Sequence, residues 1–222
     1  MGVGVSPLDE LLDAARDGAA HGTSLVRETN GILEVAVVLR PQVGMGFLMA
    51  VPHACALGAR DALLDLGATD VGIAWPHDVC GSRGTTVSIQ THAGFGEGMF
   101  VVCGASMDLS PVEGVALPAA EALGEKVVAG IVTRVDAWAT GIRASGKGAT
   151  PLGPILSDYY DALALMDADV EVVYPNGRVF CRGRLVGVDV WGRATVRNAL
   201  GGEVEVSPEQ ASIRAADDGV GD

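Results

Sequence analysis

Basic residues and aromatic rings are both scarce in this chain of 222 residues. Against 28 Asp and Glu stand only 15 Lys and Arg, so the net charge is −13 at pH 7. Nucleic-acid binding draws much of its affinity from cations that neutralise phosphates, so this balance predicts no nucleic-acid partner. Aromatics make up 5% of the residues, which leaves Ala, Val and Leu to build the core. The four cysteines, Cys55, Cys80, Cys103 and Cys181, include no CxxC pair. With nothing near Met1 that reads as an export signal, they are expected as free thiols in a reducing cytoplasm. Met1 to Ser6 fits a myristoylation pattern, a match too short to carry weight. No apolar run reads as long enough to span a bilayer, so no membrane partner is expected.

Familiar chemical signatures are missing as well. His21, His53, His77 and His92 show no HExxH or other ligand spacing. A metal site from His77, Asp78, Cys80 and His92 would need two loops to converge, so no metal is expected. No serine sits in a G-x-S-x-G elbow. Gly141 to Lys147 nearly matches a phosphate-binding loop, but Gly148 stands where the Mg²⁺-holding hydroxyl belongs, and the segment follows a helical pattern. It reads as a helix end and a linker. His53 and Cys55, on opposite faces of one helix, read as core.

What is present is a globular pattern, 49% hydrophobic with 31 glycines. Ser6-Pro7-Leu8-Asp9 opens a helix, with Ser6 as N-cap and Leu8, Leu11, Leu12 and Ala15 at helical spacing. Thr23 to Val26 is a short strand, and Ile32 to Leu39 a β-branched central one. Met45 to Leu66 reads as an apolar helix, with Pro52 marking either a kink or its true first turn. Val71 to Trp75 is strand-like. A hairpin follows, Thr85 to Thr91 and Met99 to Cys103, around the glycine-rich turn Gly94 to Gly98. Ser110-Pro111-Val112-Glu113 carries a capping box. Helical patterns cover Ala119 to Arg143 and Leu152 to Met166. After Asp167 the period changes to short alternating runs over 170–174, 179–188, 194–198 and 203–206, separated by Asn176-Gly177, Trp191-Gly192 and Gly201-Gly202. The expected layout is an α+β body over residues 1–168, a small β-barrel over 169–216 and a flexible tail, 217–222.

Trp75-Pro76-His77-Asp78 lies where a strand meets a loop, a place where pockets form. Taken alone it reads equally well as a Trp packed under a turn capped by Asp78. In context the segment resembles the Lys-Trp-Pro-Asn-Asp motif of the biotin–protein ligases. Thr85 to Gln90 resembles that family's next strand, Lys-Leu-Ala-Gly-Ile-Leu, and Gly104 to Asp108 its Gly-Ile-Gly-Ile-Asn strand. Glu28-Thr29-Asn30-Gly31 is similar to its Gln-Thr-Ala-Gly. Val186 to Gly192 and Glu209 to Arg214 are similar to its barrel signature and its closing Gly-Glu-Val-Ser-Leu-Arg. The resemblance covers nearly the whole chain. It implies a mixed-sheet ligase-like domain, as in class II synthetases, with a C-terminal SH3-like barrel and without the winged helix of the DNA-binding repressor variant.

The same resemblance marks departures. Where the family carries an arginine-rich loop over the adenylate, Gly31 is followed at once by Ile32. The motif lysine is Ala74, the second lysine is Thr85, and the asparagine is Asp108. Adenylation needs cations aimed at developing phosphate charge, and losing one such donor costs about 10²–10³ in rate. The expectation is therefore a non-catalytic homodimeric relative that binds a small carboxylate, a hydrophobic ring or a protein. Its pocket would be lined by Glu28, Ala36, Ala74, Trp75, His77, Asp78, Thr85, Ser88, Ser106 and Asp108. Trp75, His77, Ala36, Ser88 and Ser106 are expected around one concavity. Asp78 is given the structural role of holding the turn. No cofactor is called for; biotin or ATP enters only under the alternative, a ligase with a rebuilt site or an acyl transferase using His77 or Cys80. A third reading is a purely structural homodimer subunit. Arg27, Arg83 and Lys147 are the cations to look for in the pocket.

Overall fold

Ser6 begins the fold as its sequence suggests: its Oγ accepts the Asp9 amide at 3.2 Å and starts helix α1 (Pro7–Arg16). The structure, a computed structural model, describes residues 5–82, 84–109 and 119–216. The capping box at Ser110, Arg83, Met1 to Gly4 and the proposed tail lie outside them.

Strands β1 (Ser24–Thr29) and β2 (Ile32–Leu39) form a hairpin with Thr29 opposite Ile32. Asn30 and Gly31 between them have φ of 54° and 78°. Positive φ at both centres is what a two-residue type I′ turn demands, and Asn-Gly tolerates it best. A 3₁₀ turn (Met45–Ala50) runs into α2 (Val51–Asp65), with Pro52 in its first turn. Then come β3 (Gly72–Ala74), β4 (Asp78–Gly81), β5 (Gly84–Gly96), β6 (Gly98–Asp108), the long α3 (Ala120–Ser145) and the short α4 (Leu156–Ala162). The first sheet has six antiparallel strands in the order β1-β2-β6-β5-β4-β3.

Period-two alternation divides this sheet cleanly. Leu33, Val35, Val37 and Leu39 of β2, with Val101, Cys103, Ala105 and Met107 of β6, face α2 and α3 in the main core. Ala36, Val38, Phe100 and Val102 face the other way, under Leu11 and Ala15 of α1. Helices α2 and α3 cross so closely that a Cβ on Gly58 would stand 2.5 Å from the Gly130 carbonyl oxygen. By length and composition Met45–Asp65 could cross a membrane, which the sequence reading did not allow; in the fold most of it is buried in the core.

The helix expected over Leu152 to Met166 is shorter. Leu163 leaves it to make a parallel bridge with Ile73, and the Ala164 amide donates to the Ile73 carbonyl at 3.0 Å. Beyond it, β7 (Asp169–Val173), β8 (Val179–Val188), β9 (Ala194–Arg197), β10 (Glu203–Val206) and β11 (Ser212–Ala215) form a second sheet, order β10-β9-β8-β7-β11. It adds no strand to the first. A closed barrel needs its two end strands paired, and among the described residues β10 and β11 are not. Glu171 of β7 is buried between Arg214 and Arg182, whose bonds hold its carboxyl below its ordinary value. The second sheet shares the main core through Val170, Leu185 and Ala194. It is also latched to the body where the Trp75 indole donates to the Gly192 carbonyl at 3.0 Å.

Candidate functional site

Register across three strands builds the first cleft. Glu34 of β2 stands opposite Ser106 of β6, and Ser106 opposite Ser88 of β5, so their side chains form a row on the α1 face. Asp78 extends the row: its Oδ1 accepts the Ser88 hydroxyl at 3.3 Å and the Ile89 amide at 2.9 Å, tying the turn after β3 to β5. Ser6, Pro7 and Leu8 at the start of α1 close one side, with Gln90 and Gly104 on the floor, around a volume of about 230 Å³. Leu8 can lie on the sheet because Gly104 has no side chain; a Cβ there would meet it at 3.3 Å.

No Lys or Arg lines this cleft among the described residues. Arg27 is turned toward α1, donating to Glu10 at 2.8 Å and to the Val5 carbonyl at 2.6 Å. Lys147 sits in a 3₁₀ turn after α3. The polar character is hydroxyl, amide and carboxylate, which suits neutral polar or cationic groups and opposes anions.

The ten residues proposed from sequence divide between the two faces. Ser88 and Ser106 meet in the cleft, with Asp78 bonded to Ser88. Ala36 shares their face but is fully buried beneath α1. Ala74, next to core-facing Ile73 and paired with Asp78, also belongs to the cleft face. Asp108 ends β6 on that face, opposite Ile32, and Thr85 is exposed at the start of β5. Glu28 is exposed on the opposite face, paired with core-facing Leu33. Trp75 and His77 also go to the far side, so the single concavity expected from sequence does not form. Trp75 and His77 belong to the turn between β3 and β4, outside the strand pairing, and that turn lays Trp75 into the main core. Glu34, Gln90 and Ser6 were not picked out from sequence. Only the strand register could have found the first two, and Ser6 was already assigned as a helix cap.

A second cleft lies on that far side, where α2 meets the second sheet. It holds about 470 Å³ between Met49, His53, His77, Trp191 and Glu209. The His53 ring lies edge-on to Tyr159 at 5.0 Å and to His77 at 6.1 Å. Among the described residues, neither nitrogen of buried His53 has a hydrogen-bond partner, nor does Nδ1 of His77. The Met49 carbonyl favours charge on His53 without reaching hydrogen-bonding geometry. Burial, reinforced by the neighbouring imidazole, pushes His53 down to about 3. Burial also lowers His77, against the pull of Asp78. Both are therefore neutral near pH 7. Among the described residues, no three His, Cys, Asp or Glu side chains converge as metal ligands.

No family model matches the chain, and no curated protein matches it. Solved structures do. The biotin protein ligase from Aquifex aeolicus, in complex with biotin and ATP, superposes with a TM-score of 0.67 over 95% of each chain at 16% identity. Its apo form gives 0.66 at 17% over the same shares. A biotin protein ligase-like protein of unknown function from Silicibacter sp. TM1040 gives 0.63 at 20%, covering 94% of this chain and 92% of its own. Agreement over nearly the full length of both chains, through both sheets, means that this chain has the fold of the biotin protein ligases.

Proposed function

We propose that the chain is a non-adenylating relative of the biotin protein ligases that uses the serine-lined cleft to bind a small neutral or cationic molecule. The observation that carries this reading is the lining: Ser6, Glu34, Ser88, Gln90 and Ser106, without a Lys or Arg among the described residues. Chemistry at a nucleotide phosphate develops negative charge that a site must meet with donors and cations. Here a carboxylate stands in the row instead. The two-residue turn at Asn30-Gly31 supports the same reading, since by resemblance the arginine-rich loop would be inserted there. The carboxylate ligand expected from sequence is disfavoured by the same charge argument. The reading keeps residues 169–216 as a small SH3-like module. It also includes a homodimer, for which β1 offers an edge of the first sheet.

The test is ATP–pyrophosphate exchange with biotin, run on the native chain and on Ala74→Lys with an authentic ligase as control. No exchange is expected from either. Ala74 is the cross-strand partner of Asp78, so an introduced lysine pairs with that carboxylate and is neutralised before it meets a phosphate. Exchange by the native chain would overturn the proposal. A thermal-shift series with biotin, lipoate, ATP and small amines supplies the positive arm: the amines stabilise the protein and the anions do not.

A further inference from the structure

We propose that the cleft between α2 and the second sheet is a separate binding site for a small uncharged aromatic molecule carrying a hydroxyl or ring N–H, whose polar edge His53 and His77 bond.

The polar observation comes first. Buried polar groups nearly always find a partner, yet both nitrogens of His53 and Nδ1 of His77 have none among the described residues. Both residues line the same cleft of about 470 Å³. His53 is only 2% exposed, and the three nitrogens present almost no surface to the cleft, so a ligand bonds them only as the two rings turn toward it. A neutral imidazole presents one donor and one acceptor, and a phenolic hydroxyl or an azole N–H matches that pair.

The walls supply the rest. Met49 and Trp191 face the cleft and remain 39% and 46% exposed. A thioether and an indole at the mouth of a pocket suit a flat ring, through sulfur–aromatic contact and stacking. Leu48, Pro52 and Val101 complete an apolar wall. Charge narrows the class further. Among the described residues no Lys or Arg lines this cleft and Glu209 is its one carboxylate, so an anion would enter against repulsion with no compensating group. A cation would lie beside two neutral imidazoles with only a rim carboxylate to offset its desolvation.

The test uses the full chain and four probes of similar shape: p-cresol, toluene, benzoate and benzylamine. Trp191 fluorescence and the ring carbon–proton shifts of His53 and His77 report occupancy. p-Cresol should shift both imidazoles and quench Trp191. Toluene, which lacks the hydroxyl, should bind about fivefold more weakly, the worth of one ordinary hydrogen bond. Benzoate and benzylamine should be weaker than p-cresol. Trp191→Ala, at an exposed position, should abolish the p-cresol response in the histidine shifts. Three results would overturn the proposal. One is no imidazole shift at millimolar p-cresol, which leaves water as the only occupant. Another is equal binding of toluene, or tighter binding of a charged probe. The third is imidazole shifts that survive Trp191→Ala at full strength, which would show that the indole forms no wall of the site.

Discussion

Replacing Gly58 by Ala should destabilise the protein even though alanine is the better helix former. Gly58 lies inside α2 and Gly130 inside α3, and the helices touch backbone to backbone at that point. A Cβ on Gly58 would stand 2.5 Å from the Gly130 oxygen and 2.6 Å from the Ile131 Cα. Ordinary carbon contacts are about 3.5–4 Å, so one helix must retreat by roughly 1 Å. Helix propensity favours the substitution by about 1 kcal/mol. Overpacking a core costs about 1–3 kcal/mol, and the upper end applies because the obstacle is main chain, which cannot change rotamer. The net loss is then about 2 kcal/mol, or roughly 4–8 °C in Tm for a chain of this size. Gly130→Ala should behave alike. The double variant should cost less than the sum, because a helix that has already moved accommodates the second methyl more cheaply. Gly46→Ala is the control: among the described residues its Cβ would meet no atom within 4 Å. Since α2 also carries His53, the shift should appear in that residue's ring signals. A Gly58→Ala protein as stable as Gly46→Ala would refute the reasoning.

Other outcomes follow from the same contacts. Trp75→Phe removes the indole bond to Gly192 and leaves a buried carbonyl without its donor, which should cost about 1–3 kcal/mol in urea unfolding; an unchanged midpoint would show that the latch contributes nothing. His53 is held at about 3 in the fold, so between that value and its ordinary 6.5 the unfolded chain binds a proton that the native chain does not. Stability is therefore full above pH 6.5 and falls as the pH drops, by about 2 kcal/mol between pH 7 and pH 5, with His77 acting in the same direction. His53→Leu should flatten that dependence, and an equally steep profile in the variant would count against the assignment. Light scattering at micromolar concentration should report a dimer, whereas a monomer would remove that part of the proposal.

Local chemistry was readable along the chain to the extent that it is local. Ile32 to Leu39 is a strand end to end because a β-branched, almost wholly apolar run, interrupted by Glu34, lies between an Asn-Gly turn and Pro41. The change of period after Asp167 does mark a second sheet. The misreadings lie where a distant partner decides. Leu152 to Met166 carries a helical pattern throughout, yet Ile73 draws Leu163 out of the helix into a bridge. The short β4 went unseen because Asp78–Gly81 has too few alternations to announce itself and exists only as a rung between β3 and β5. The site follows the same rule. Trp75-Pro76-His77-Asp78 reads as one motif, but only Asp78 belongs to a strand; it serves the serine-lined cleft, while Trp75 and His77, in the turn before it, serve the core and the second cleft. Glu34, Ser106 and Ser88 come from three strands and meet only because two registers place them in one row. A one-residue slip in either register would send one of them through the sheet. The charge of that cleft is thus a property of strand pairing, and no inspection of a single segment could have assigned it.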